Sequence, residues 1–129
     1  MGKVVFTGGL DHPLHDGYST ARGPALRSEK MEVARVYFEK GKGAHYHHHP
    51  EEQLFYILEG RLEVTVGEGD SAQTYVCDPG EASFHPSNVP HKVQALENVV
   101  CMSFKCLADP AESPRAGRNV YTETGRLDG

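Results

Sequence analysis

Strand-stopping residues punctuate the middle of the chain at short and fairly even intervals. The β-branched and aromatic run MEVARVYFEK (31–40) ends at GKG, RLEVTV (61–66) at GEGD, AQTYVC (72–77) at DPGE, and ASFH (82–85) at PSNVP. HKVQAL (91–96) and NVVCMSFK (98–105) close the series. Several runs alternate with a period of two, placing Leu62, Val64 and Val66 on one face, and His91, Val93 and Ala95 on another. Short alternating runs bounded by turn residues predict an all-β sandwich or barrel with no long helix.

At 129 residues the chain suits one compact domain, and 38% hydrophobic with 24% charged residues is the balance of a packed core. A net charge of -5 argues against a nucleic-acid surface, which would need a basic face. No apolar run approaches membrane-spanning length. The opening MGKVVFTGGLDH does not read as a signal peptide, and Phe6 breaks a myristoylation signal. Cys77, Cys101 and Cys106 are odd in number and lack C-x-x-C spacing, so reduced, buried thiols in a cytoplasmic setting are expected. Residues 1–30 read as an N-terminal extension packing on or across a barrel over 31–107, and 108–129 as a polar C-terminal tail.

Between Gly41 and Gly60 lies GKGAHYHHHPEEQLFYILEG, with histidine at 45, 47, 48 and 49. In an extended segment His45, His47 and His49 share one face, and Tyr46 and His48 the other. Gln53, Phe55 and Ile57 share a face of the next run. If the two strands pair through the PEE turn, two imidazoles and the Gln53 amide converge, and His91, opening a later strand, can bring a third ring to the same point. Imidazole suits iron, manganese, nickel, copper and zinc, while an amide oxygen is a harder donor.

This stretch resembles the first motif of the cupin family, with Gly41, His47, His49 and Gly60 at the motif spacings and Gln53 at the position usually held by Glu. DPGEASFHPSNVPH is similar to the second motif, with Pro79, Gly80, Pro86 and His91 in register, though the Asn that follows in the family has no clear counterpart. The resemblance runs from about Met31 to Phe104. It implies a small jelly-roll barrel (a double-stranded β-helix), a homodimer, and one divalent ion (Fe, Mn, Ni or Zn) held by His47, His49, Gln53 and His91. Gln53 either ligates directly or holds a bound water, and Glu51 or Glu52 is the alternative source of a carboxylate. His45 is a candidate acid, base or donor, or else part of the barrel mouth. His85 either lines the pocket catalytically or is a structural histidine. Arg35, Arg27, Tyr37 and Phe55 are candidate substrate contacts, an inward arginine suiting a carboxylate. For the arginines the plain alternative is a solvated charge, and for the aromatics packing in the wall.

Three imidazoles and an amide carry no charge, so a bound divalent ion keeps its full Lewis acidity. Cupins with this ligand set include those that convert unsaturated uronic acids to linear keto acids and the cupin hydroxynitrile lyases. The uronate group uses an acidic base on a late strand, where this chain has Met102 within NVVCMSFK and no acid. The resemblance therefore implies a metal-dependent enzyme acting on a small oxygenated molecule, by isomerase or lyase chemistry or as a dioxygenase. The alternative is a non-catalytic module that binds or senses a small ligand. No phosphate loop, dinucleotide fingerprint or Ser-His-Asp set is present.

Overall fold

A computed structural model of the chain describes residues 3, 5–6, 9–14 and 17–106. The expected tail over 108–129 lies outside the described residues, as does part of the N-terminal extension. Nine strands are formed among the described residues: β1 (Ala25–Arg27), β2 (Met31–Phe38), β3 (Gly43–His47), β4 (Gln53–Glu59), β5 (Leu62–Val66), β6 (Gln73–Cys77), β7 (Ala82–His85), β8 (His91–Ala95) and β9 (Val99–Cys106). Apart from one 3-10 turn at Gly69–Ser71, no helix occurs among the described residues, and none is long and apolar enough to cross a membrane.

The strands form two antiparallel sheets, ordered β1-β2-β9-β4-β7 and β3-β8-β5-β6. From β3 onward the chain passes repeatedly between them, which is the jelly-roll arrangement. The inner faces follow from period-two patterning. Val36 and Phe38 of β2, Phe55 and Ile57 of β4, Leu62 and Val64 of β5, Val93 and Ala95 of β8, and Val99 and Cys101 of β9 meet in one core. Ile57, Leu62, Val64 and Val99 are wholly buried, each contributing about 1.5–3 kcal/mol of transfer free energy. Gly60 makes the β4–β5 turn with φ of 84°, and a Cβ there would lie 2.1 Å from the Asn98 carbonyl oxygen, so only glycine fits.

Three expectations are corrected. First, β3 and β4 do not pair through PEE; they lie in different sheets, and residues 48–52 cross between them. Second, β3 does not alternate regularly. Its register against β8 shifts between Ala44, which faces Val93, and His47, which faces His91. This bulge puts His45 and Tyr46 both on the exposed side while Ala44 and His47 turn inward. Third, Cys77 and Cys101 are buried as expected, but Cys106 is exposed because its parity on β9 points outward.

Before β1, the segment around Pro13–Arg22 doubles back on itself and spans the two sheets. Pro13 bridges Arg22, Ser19 bridges Ala44 of β3, and Arg22 bridges Tyr37 of β2. Tyr18 is carried inward by this segment and is 6% exposed.

Candidate metal centre

His47 ends β3, His91 opens β8 directly opposite, and His49 stands in the crossing toward β4. Ring centroids are 4.3 Å apart for His47 and His91, 5.0 Å for His49 and His91, and 5.5 Å for His47 and His49. One ring nitrogen from each falls within 4.8 Å of the others. Each Nδ1 lies against a nearby backbone carbonyl: His47 on His45 at 2.7 Å, His49 on Glu51 at 2.8 Å, and His91 on Val89 at 3.0 Å. A carbonyl oxygen only accepts, so each Nδ1 carries the proton and each Nε2 keeps its lone pair. His91 Nε2 is buried without a hydrogen-bond partner. A buried acceptor in that condition is costly, and a cation shared with two neighbouring imidazoles relieves it. The residues present therefore fit a divalent ion.

The electrostatics agree. Burial, opposed by the Val89 carbonyl, lowers His91 to about 4. Burial, then the nearby Lys105 charge and the other two imidazoles, holds His49 well below the usual histidine range. Neutral rings are what a metal requires.

Gln53 lines the same interior cavity as His47 and His91. Its Nε2 donates to Ser103 Oγ at 3.0 Å, and its Oε1 faces His85 Nδ1 at 3.4 Å. His85 is fully buried and stacks on His91 at 4.3 Å, while its Nε2 meets Ser83 Oγ at 2.9 Å, which in turn meets the Tyr75 hydroxyl at 2.7 Å. Burial, then the charges His91 and His47 would carry, keeps His85 neutral. It then has one donor and one acceptor, and the chain from Tyr75 to Ser103 satisfies both. The second lone pair of Gln53 Oε1 remains available to a cation.

The cavity measures about 20 Å³, room for a single water, and Tyr18 lines it with its ring 4.3 Å from that of His47. Phe55 lines it and packs edge-on against Phe38 and His85. The other candidates lie elsewhere. His45 and Arg35 are exposed, Tyr37 is half-buried beneath the Arg22 guanidinium at 4.9 Å, and the partly exposed Arg27 pairs with Glu32.

Glu32 and Lys105, not singled out from the sequence, and Glu51, the alternative carboxylate, complete the interior. Glu32 lines the cavity, and Lys105, 6% exposed, holds its ammonium 3.7 Å from the Glu32 carboxylate. Burial pushes Glu32 up, but Lys105 and Arg27 together bring it below the ordinary carboxylate range. Burial lowers Lys105 despite Glu32 and Glu51. Glu51 is buried, with one carboxylate oxygen 3.7 Å from His49 Nδ1. The signal for Lys105 was strand parity, since Val99, Cys101, Ser103 and Lys105 share the inward face of β9.

A jelly roll with three converging imidazoles inside it defines a metal-binding β-barrel. A family model described as "Cupin domain" matches residues 34–104, and the chain belongs to the cupin family. Over 75 residues it is 31% identical to the dimethylsulfoniopropionate lyase DddQ of Ruegeria pomeroyi, covering 58% of this chain and 36% of that protein. The chain thus spans about a third of the length of this curated relative. Among solved structures, an RmlC-like cupin from Shewanella frigidimarina superposes with a TM-score of 0.65 at 20% identity, covering 85% of this chain and 96% of the other. KdgF from Halomonas sp. superposes at 0.58 with 22% identity, covering 67% and 79%. These two likenesses are ones of fold.

Proposed function

We propose that the chain is a metal-dependent enzyme acting on a small oxygenated molecule by non-redox chemistry of the lyase or isomerase kind. The observation that carries this is the set of three Nδ1-tethered imidazoles with one ring nitrogen of each within 4.8 Å of the others. His47, His49 and His91 would hold the ion, with Gln53 Oε1 as fourth donor. A divalent transition ion in that neutral shell supplies Lewis acidity to a substrate oxygen. The rest falls to the chain itself. His85 and Ser103 orient the Gln53 amide. Apolar walls of Val36, Phe38, Phe55 and Val93 exclude water. Glu32, ionised at neutral pH and lining the cavity, accepts a proton from the substrate. The partial similarity to a lyase, over a stretch of about the same length as the barrel, supports the non-redox branch. One observation favours ligand sensing instead: the cavity, lined in part by Tyr18, has room for only a single water.

The test is elemental analysis of untagged protein purified without added metal, together with cobalt titration of the metal-free chain. Dioxygen uptake is measured alongside turnover of dimethylsulfoniopropionate, unsaturated uronates and hydroxy-ketones. A single ion per chain, with elimination or isomerisation and no dioxygen uptake, is expected. Stoichiometric iron with uptake on diketones, catechols or thiols would move the chain to the dioxygenases. No metal after reconstitution would leave the sensing module.

A further inference from the structure

Two carboxylates stand between His49 and Gln53, and the fold parts them. Glu52 is exposed, while Glu51 is 3% exposed and turns inward. Burying a carboxylate is costly unless something inside the protein answers its charge. Glu51 Oε1 is buried with no hydrogen-bond partner, and it stands 3.7 Å from His49 Nδ1. That is too long for a hydrogen bond, and the Nδ1 proton is already held by the Glu51 backbone carbonyl at 2.8 Å. The carbonyl therefore aims the ring, and the carboxylate adds charge behind it. The ligand atoms that gather within 4.8 Å of one another come from His47, His49 and His91, not from Glu51, and Glu51 does not line the cavity. A second charge lies close by. Lys105 faces Gln53 across the pairing of β4 with β9 and holds Glu32 at 3.7 Å. Burial lowers the Lys105 ammonium, and Glu32 and then Glu51 oppose that fall. After burial, the Lys105 charge is the next influence that holds His49 low. Lys105 and Glu51 thus bear on His49 with opposite signs.

We propose that Glu51 returns to the metal centre, from behind His49, the negative charge that Gln53 withholds, and that Lys105 limits how much of it is felt. Resting on the metal reading above, this role is one of tuning: Glu51 acts on the ion only through His49. A carboxylate behind an imidazole makes the ring a more basic ligand. At position 53 a carboxylate would bring its charge directly to the ion. Two residues earlier it brings the charge at one remove, and the amide oxygen of Gln53 remains neutral. Placed there, the charge strengthens the hold on a cation without taking a coordination position that a substrate oxygen needs. Lys105, shared between Glu32 and Glu51, keeps the ring from becoming so strong a donor that the Lewis acidity of the ion is lost.

The experiment is cobalt titration of the metal-free full chain at one fixed neutral pH, for wild type, Glu51→Gln and Lys105→Met. It is read as affinity and as the position of the visible cobalt bands, with circular dichroism to show that each variant is folded. Glu51→Gln keeps the shape of the side chain and removes its charge. It should weaken cobalt binding by about 10–100-fold and move the bands to longer wavelength, because a less basic imidazole is a weaker-field ligand. Lys105→Met should do the reverse, tightening the binding and moving the bands to shorter wavelength. A purely structural role for the buried charges would weaken binding in both variants and leave the bands in place. Glu51→Gln that binds cobalt as tightly as wild type overturns the proposal, and so does Lys105→Met that binds it more weakly. Should Glu51→Gln fail to fold, the sign of the Lys105→Met change decides alone. A wild-type chain that takes up no cobalt overturns the metal reading itself, and the role of Glu51 with it.

Discussion

Replacing Glu32 by Gln removes one member of a buried charge network and leaves Lys105 inside the barrel. The Lys105 ammonium is 3.7 Å from the carboxylate, and the two residues are 6% and 8% exposed. At that separation an effective dielectric constant near 20 gives about 4 kcal/mol of attraction, and losing one partner of a buried pair typically costs about 3–5 kcal/mol. Glu51 also faces Lys105 and partly compensates, so the cost should fall near 3 kcal/mol. For a chain of this length that is roughly 12 °C in Tm. Lys105→Met should cost less, because Glu32 keeps Arg27, and the double variant should cost about 1 kcal/mol, well under the sum. The pH dependence has a defined sign. Burial lowers Lys105 in the folded state, so between that value and 10.5 the unfolded chain binds more protons, and stability rises with pH. Without Glu32 the depression deepens, so Glu32→Gln should regain stability between neutral pH and about pH 10. Urea denaturation of the four proteins across that range decides the matter. Single variants that each lose under about 1 kcal/mol, add without coupling and show no pH recovery would refute the reasoning.

Other outcomes follow from the same geometry. His91→Ala should abolish stoichiometric cobalt binding while the chain stays folded, and retained metal would overturn the ligand assignment. Metal-free protein should lose stability on acidification from pH 6.5 toward 4, by up to about 1.4 kcal/mol per pH unit for each of His49, His85 and His91. The unfolded chain takes up protons there that the buried rings refuse, so a flat denaturation profile would contradict it. Tyr18→Ala should open the cavity and speed removal of bound cobalt by a chelator about tenfold or more, and an unchanged rate would show that Tyr18 does not gate access. Gly60→Ala should destabilise severely, because the added Cβ meets a backbone oxygen at 2.1 Å; thermal denaturation within a few degrees of wild type would count against this.

The fold was legible because its signals are local. Turn residues and period-two alternation located β2 and β4 through β9 to within a residue or two, and the two motifs linked His47, His49 and His91 across some forty positions. What was hidden depended on backbone detail or on partners distant in sequence. The bulge in β3 breaks the parity that would have grouped His45 with the ligands, and no residue type announces it. The three-residue β1 is too short to show a period. Glu32 and Lys105 sit at inward-facing positions of recognisable strands, yet a charged residue at such a position is read as solvated unless its counter-charge is known. Here that charge lies more than seventy residues away along the chain, adjacent only through the pairing of β2 with β9.

Each of the three metal-facing imidazoles takes its orientation from a carbonyl two residues away in its own segment. The instructions for aiming the rings are thus written into two short pieces of main chain, 45–51 and 89–91, and not into distant side chains. Transplanted together onto the matching strands of another jelly roll, these pieces should carry their aim with them. Sequences around them would be free to drift toward new substrates without first having to preserve a supporting cast for these three rings, though Gln53 still depends on His85 and Ser103.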